Sequence, residues 1–334
     1  MDYSKGFSAV YELAILDPVT WVETGTVEWT GGNITKDSTS SLIESAQIKA
    51  TDIGNGEQWI RIYLQANQEG ASDRVPLFTG LTTSPKRNIE GLFEEHELTC
   101  YSVLKPAEDI LLPRGYFVPA GSNAKYVKKL LSDVYAPIVV GFDSPRLIRS
   151  IVAENRETKL SLANKVLQTI GWRITIEGDG TVNICEKAAT ASANFSPIEN
   201  DVIEVKVTDS FDWYEVPNIL RVITTTGNAI ARDDRPDSIF STVSRGREIW
   251  AEETSASLNA GESIAEYAIR RLKEFQNVHR TITYNRRFFP DIYCGDIVNL
   301  NYMQQDISGN YRVKNQKITL GYNCTVNEEV EVIE

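Results

Sequence analysis

Through the first hundred residues, short apolar runs alternate with turn clusters. YELAIL, TVEWT, LIESAQIKAT, EQWIRIYLQA, PLFTGLTT and EEHELTCYSVL are rich in Ile, Leu, Val, Tyr and Trp, and Asp17-Pro18, Gly31 to Asn33 and Gly54 to Gly56 punctuate them. Such punctuation predicts short strands joined by turns. EQWIRIYLQ shows a period of two, with Trp59, Arg61 and Tyr63 on one face and Ile60, Ile62 and Leu64 on the other. Many short strands at regular spacing predict a barrel or a sandwich.

The period changes after LLPRGYFVPAGSNA, Leu111 to Ala124, where Pro113 and Pro119 each disfavour helix in the residue before them. In SNAKYVKKLLSDVY, Val127, Leu130, Leu131 and Val134 recur at i, i+3, i+4 and i+7, which predicts a helix capped by Ser122 or Asn123. TKLSLANKVLQTIG predicts a second, with Ala163, Val166, Leu167 and Ile170 inward, Thr158 as cap and Gly171 as stop. WRITIEGDGTVNICE then reads as a hairpin: Trp172, Ile174 and Ile176, EGDG, Val182 and Ile184.

From Val202 the strand pattern returns in VIEVKVTD and PNILRVITTT, followed by a polar loop carrying DDRPD and by STVSRGREIWAEE. One clear helix is predicted over Gly261 to Val278. Ile264, Tyr267, Ala268, Leu272 and Phe275 line one side, and early Glu262 and Glu266 with late Arg270, Arg271 and Lys273 suit the helix dipole. Glu266 and Arg270 form an i, i+4 pair. RTITYNRRFF, DIVNLNYM, YRVKNQKITLGY and TVNEEVEVIE read as closing strands. WIRIYLQANQEGASDRVPLFTGLTT and IVNLNYMQQDISGNYRVKNQKITLG echo one another: strand, polar connection containing Gly, strand. The fold class expected is therefore α+β and mainly β. Two similar β-barrel-like domains, residues 1–105 and 199–334, flank a small α+β domain at 106–198, with a helix inserted at about 257–278.

At 334 residues and 42% hydrophobic content the chain has two or three domains' worth of core and needs no disulfides. Cys100, Cys185, Cys294 and Cys324 are far apart and form no CxxC pair, which fits reduced, buried thiols made in a cytoplasm. The start, MDYSKGFSAVYELAIL, does not read as a signal peptide, and no run of about 18 apolar residues predicts a membrane span. A net charge of −12 argues against gripping a duplex, and suits a surface that nucleic acid passes without sticking.

FFPDIYCGDIVNL, Phe288 to Leu300, gathers two aspartates, a cysteine, a proline and a glycine. A calcium loop would place oxygen ligands at alternate positions, but Ile, Tyr and Cys fill the gaps after Asp291. Turns at Pro290-Asp291 and Gly295-Asp296, followed by a strand with Val298, Leu300 and Tyr302 inward, explain it better. His96 and His279 are isolated, GESIA lacks the second glycine of a nucleophile elbow, and no phosphate loop occurs. No catalytic, cofactor or metal residues are nominated, and no cofactor is expected. Arg270-Arg271-Lys273, Arg286-Arg287 and Arg312 to Lys317 read as solvated faces or ion pairs rather than nucleic-acid contacts. Tyr116 and Phe117, beside Arg114 in a stiff loop between prolines, either mark an interface or pack back on their own domain.

The order of β domain, LLPRGYFVPAG, two helices with a GDG hairpin, VPNILRVI, PDIYCGDIVNL and YRVKNQKITLG resembles the baseplate hub proteins of phage tails and phage-like particles. That group includes the late-control D proteins and the hub proteins of defective prophages in Gram-positive bacteria. The resemblance spans nearly the whole chain and rests on turns and strands rather than reactive groups. It implies a non-enzymatic virion component: a homotrimer whose paired β domains form a pseudo-six-fold ring. The ring joins a hexameric tail tube or distal tail protein above to a three-fold spike below, near the tape measure protein, and DNA passes through its lumen. It also implies assembly in the host cytoplasm and a place in the tail baseplate. Some members carry a wall-degrading domain, for which no motif stands here. The rival expectation is a peptidoglycan-degrading or carbohydrate-binding tail protein, with Trp21, Trp29, Trp59 and Tyr63 as stacking residues.

Overall fold

The computed structural model describes residues 1–334 apart from 52, 55, 91–92, 198–202, 212, 225–226, 255–261, 278–279 and 334. The chain opens with eight strands: β1 Ser8–Leu16, β2 Glu23–Val27, β3 Trp29–Asp37, β4 Glu44–Ala50, β5 Trp59–Gln68, β6 Ala71–Thr82, β7 Lys86–Glu90 and β8 Phe93–Ser102. The middle segment holds α1 Lys105–Asp109, β9 Phe117–Val118, α2 Ala124–Leu130, β10 Ile138–Val140, β11 Ile151–Val152, α3 Lys159–Thr169, β12 Trp172–Ile176 and β13 Val182–Glu186. Then come β14 Ala191–Phe195, β15 Ile203–Phe211, β16 Ile219–Thr224, β17 Gly227–Arg232, α4 Thr242–Arg245, β18 Trp250–Glu253 and α5 Ile264–Gln276. The last strands are β19 Arg280–Arg286, β20 Ile297–Tyr302, β21 Ile307–Thr319 and β22 Val326–Val332.

Two compact units result. One combines Met1–Thr208 with Thr283–Glu334, and the other is Asp209–Ile282. In the first unit, a sheet runs in the order β15-β19-β22-β21-β3-β4-β8-β6-β5-β1-β2, its β15 and β19 ends continuing into the second. This corrects the expectation of two barrels: among the described residues the path is open, ending at β15 and β2. The reason lies in β21. Its first half pairs with β20, and the continuation of that same edge, Asn315 to Thr319, pairs with β3 over Asp37 to Asn33. An edge needed to close the second half on itself is thus spent on the first half. Ile318, Leu320, Cys324 and Val326 accordingly share one core with Ile34, Ile48, Ile62 and Phe78.

The echoed segments are both antiparallel hairpins. β5 turns to β6 at Gly70, φ 78°, and β20 turns to β21 through a 3-10 turn ending at Asp306, φ 56°. Both predicted helices of the middle segment form. Asn123 Oδ1 accepts from the Lys125 amide and Thr158 Oγ1 from the Ser161 amide. Val127, Leu130, Leu131 and Val134 are all buried, although α2 itself ends at Leu130. The β12–β13 hairpin carries β10 in parallel on its far edge.

In the second unit, β16 pairs with β17 and β18, and α5 covers them through Tyr267, Ala268 and Leu272. Glu266 closes a capping box with Ser263, so Arg270 pairs with Glu262 and Glu274 instead of forming the expected i, i+4 pair. The expected helix limits at 261 and 278 lie outside the described residues.

Candidate functional site

Where β3 meets β21, five polar side chains form a buried row across the sheet. Register places Glu44 of β4 opposite Lys36 of β3, Lys36 opposite Gln316 of β21, and Gln316 opposite Glu328 of β22. Arg286 of β19 completes it, donating to Glu328 Oε2 from Nε at 3.0 Å and Nη2 at 2.6 Å. All five are buried.

The two ends differ. At one, Glu328 is saturated: Gln316 Nε2 donates at 2.7 Å and the Tyr284 hydroxyl also donates. Burial, and then the Glu328 charge, push the Tyr284 phenol well above its ordinary value. At the other, Lys36 Nζ lies 3.5 Å from Glu44 Oε2, and among the described residues neither Glu44 oxygen receives a hydrogen bond. Burial pushes the Glu44 carboxyl up to about 7 against the pull of Lys36. Lys36 also sits 5.6 Å from the Tyr293 ring centroid. Ile43, just before Glu44, is held at φ 66°, a strained conformation for a β-branched residue, with the Glu44 amide bonded to Leu42 O.

FFPDIYCGDIVNL is the corner that docks the middle segment beside this row. Arg173 of β12 donates to Cys294 O at 2.7 Å and Asp296 Oδ1 at 2.5 Å, while Asp296 Oδ2 accepts from the Tyr293 amide. Gly295 has φ 88°, and a Cβ there would lie 2.2 Å from Arg173 Nη1. A second clasp comes from the EGDG turn. Gly178 packs so tightly that a Cβ would meet Pro76 O at 1.8 Å, and its carbonyl accepts from Thr79 Oγ1 at 2.7 Å. Arg61 Nη2 donates to Asp179 O at 2.7 Å. A cavity of 180 Å³ lies between corner, EGDG turn and charged row.

Nothing in these contacts forms a nucleophile with a base. Among the described residues no group of three or more His, Cys, Asp or Glu is placed to hold a metal ion, and His279 lies outside them. No helix among them is long and apolar enough to cross a membrane. Trp59 and Tyr63 are buried, Trp21 packs on Trp59, and Trp29 donates to Tyr11 O while meeting its ring edge. Trp59 and Tyr63 are thus closed to sugar stacking, while Trp21 and Trp29 are half-buried and engaged with neighbouring rings.

The nominated interface residues divide. Arg114 is exposed. Tyr116 turns inward, packing on the core with its hydroxyl 3.1 Å from that of Tyr126. Phe117 turns outward, 53% exposed, opposite Val152 at 63%; the next pair, Val118 and Ile151, faces the core. Sequence reading missed Val152, which is distant in the chain. It also missed the adjacent exposed aromatics Trp213 and Tyr214, whose signal was the DWYE run.

Structures of known proteins share this architecture end to end. A tail protein from Neisseria meningitidis superposes with a TM-score of 0.65 at 14% identity, covering 96% of each chain. The chain has a tail-protein fold. A 43 kDa tail protein of a Shewanella oneidensis prophage gives 0.62 at 13%, covering 97% of this chain and 98% of that one. A prophage tail protein from Listeria monocytogenes gives 0.51 at 11%, over 96% and 94%. No protein-family model and no curated protein matches the sequence. At such identities the tail-protein fold is held by its pattern of strands and turns rather than by particular side chains.

Proposed function

We propose that this chain is the structural, non-enzymatic hub of a phage or phage-like tail tip. Three copies close a pseudo-six-fold ring between the hexameric tail tube or distal tail protein and a three-fold spike. The tape measure protein lies nearby, and DNA passes through the lumen without specific binding. The segments 1–105 and 199–334 supply the paired β elements and 106–198 braces them. The particle is assembled in the host cytoplasm and the protein resides in its baseplate. The observation that carries this reading is the correspondence with tail proteins over at least 94% of both chains in each of three structures. The β3–β21 seam supports it, because one continuous sheet holds the two β halves of a copy at a fixed offset. Arg114 and Phe117, with Val152 added, form one contact face of the ring, and Tyr116 packs inward behind it. Electron microscopy of the purified protein at micromolar concentration tests the proposal: closed three-fold rings are expected, and a population made only of monomers across concentration and salt overturns it.

A further inference from the structure

The large sheet has two strand edges that its core does not use. Among the described residues β15 pairs only with β19 and β7 only with β8, so each keeps a free row of main-chain donors and acceptors. β7 lies on Phe93 to Glu97 of β8, while β6 takes Cys100 to Ser102 along the same edge. Neither β7 nor β15 sends a residue into the core that Ile34, Ile48, Ile62 and Phe78 share. Lys86 to Ile89 are all exposed, and from Glu204 to Phe211 only Val207 is even half-buried. Val205 and Ile89 are 65% and 62% exposed. Unpaired edges of this kind template pairing with another strand. No proline lies within either strand to prevent it.

Strand sense and charge select the partner. Glu204 meets Asn285 and Asp209 meets Arg280, so β15 and β19 are antiparallel; Tyr284 meets Glu328 and Asn285 meets Asn327, so β19 and β22 are too. The ladders from β22 through β21, β3, β4 and β8 to β7 are all antiparallel. β7 therefore runs opposite to β15, and rotation about a ring axis brings one copy's β15 antiparallel to the next copy's β7. The third free end, β2, fits less well. It runs in the same sense as β15, turns Val27 into the core, and spends its one charge, Glu23, on Arg74 and Tyr63. β7 opens with Lys86 and Arg87, whereas β15 carries Glu204 and Asp209 around Lys206. Like charges directly opposite are destabilising across a ladder, which disfavours β7 on β7 and favours β7 on β15. An extended segment of a different protein would fill one edge and leave the other bare.

We infer that the free edge of β15 in one copy adds to the free edge of β7 in the next, antiparallel, so that main-chain hydrogen bonds run the sheet across the subunit boundary. The inference rests on the ring reading and adds to it which two strands meet. A ring closed by rotation needs two different faces per copy, and these two edges are such a pair.

Crosslinking and hydrogen exchange of the full chain test this together. Ile89→Cys and Val205→Cys are prepared separately, assembled alone or mixed, and treated with a short bifunctional maleimide; wild type gives the background from half-buried Cys185. The mixture is expected to give covalent dimers well above either variant alone, and the double variant to give covalent closed rings. Amides of both strands are expected to exchange fast in dilute wild type and to slow on assembly. If wild type assembles and either result is missing, this seam is wrong and the ring stands on other contacts. If wild type never self-associates, the ring reading falls and this inference with it.

Discussion

At the scale of single residues, Glu44 is the position most exposed to chemistry. Its carboxyl, at about 7 in the fold, stands above the ordinary value of 4.5 because burial disfavours the anion more than Lys36 favours it. A carboxyl raised on folding binds its proton more tightly in the native state than in the unfolded chain. Its contribution to stability is therefore complete below pH 4.5 and is lost as the pH rises to about 7. Glu44→Gln removes this titration. Wild type is expected to lose up to about 3 kcal/mol between pH 4.5 and 7.5 that the variant does not lose. Urea midpoints measured across that range give the two slopes; equal slopes would show that Glu44 does not titrate in this way. Slopes are the proper comparison, because the amide also leaves Lys36 without its counter-ion. The strained Ile43 sharpens the point: the turn keeps Glu44 buried although both the backbone and the carboxylate would gain from leaving.

At the scale of elements, the period of two explains what the sequence made legible and what it hid. Helices α2, α3 and α5 and the β12–β13 hairpin follow from spacing, caps and Gly stops, because those signals are local. The charged row also leaves a local trace. Lys36 lies two residues after buried Ile34, Glu44 two before Ala46, Gln316 two before Ile318, Arg286 two after Tyr284, and Glu328 between Val326 and Val330. Each falls in phase with the inward positions of its strand, which is where a charge needs a partner. What the sequence hides is who that partner is. Pairing of β3 with β21 joins residues nearly 300 apart, and a bulge between Val313 and Asn315 in the β21–β22 register sets the phase. Arg286 accordingly takes the ion-pair form of its two expected readings rather than the solvated one, and closure into two barrels failed for the same reason. Glu328→Ala strips Arg286 and Tyr284 of their acceptor inside the sheet, and breaking a buried pair on one side costs about 3–5 kcal/mol. Denaturant unfolding should show a loss of that order. Replacing Arg286 by Met in the same protein should return part of it, through non-additivity of contacting residues. A loss below about 1 kcal/mol for Glu328→Ala alone would mean that the row is wet or loosely held.

At the scale of the whole molecule, assembly tests whether the surfaces left over by folding are there for a reason. The first unit has its middle segment clasped twice, by Arg173 on the Cys294–Asp296 corner and by the EGDG turn on β6, so its interior contacts are accounted for. Phe117 and Val152 are then conspicuous, an apolar cross-strand pair on the outer side of a two-stranded sheet whose inner pair supplies the core. Tyr116, one residue away, has the opposite role, since it packs inward and meets Tyr126. The two neighbours should separate cleanly by mutation. Phe117→Asp buries nothing new in the monomer and places a charge on the contact face. It should weaken ring formation by about ten-fold or more with little change in thermal midpoint. Tyr116→Ala removes inward packing, and should lower the midpoint by several degrees while leaving assembly intact below it. Light scattering across a dilution series, read with calorimetry on the same samples, distinguishes these outcomes. If Phe117→Asp assembles as wild type does, the outward pair is an ordinary exposed patch, and the ring must close through other surfaces.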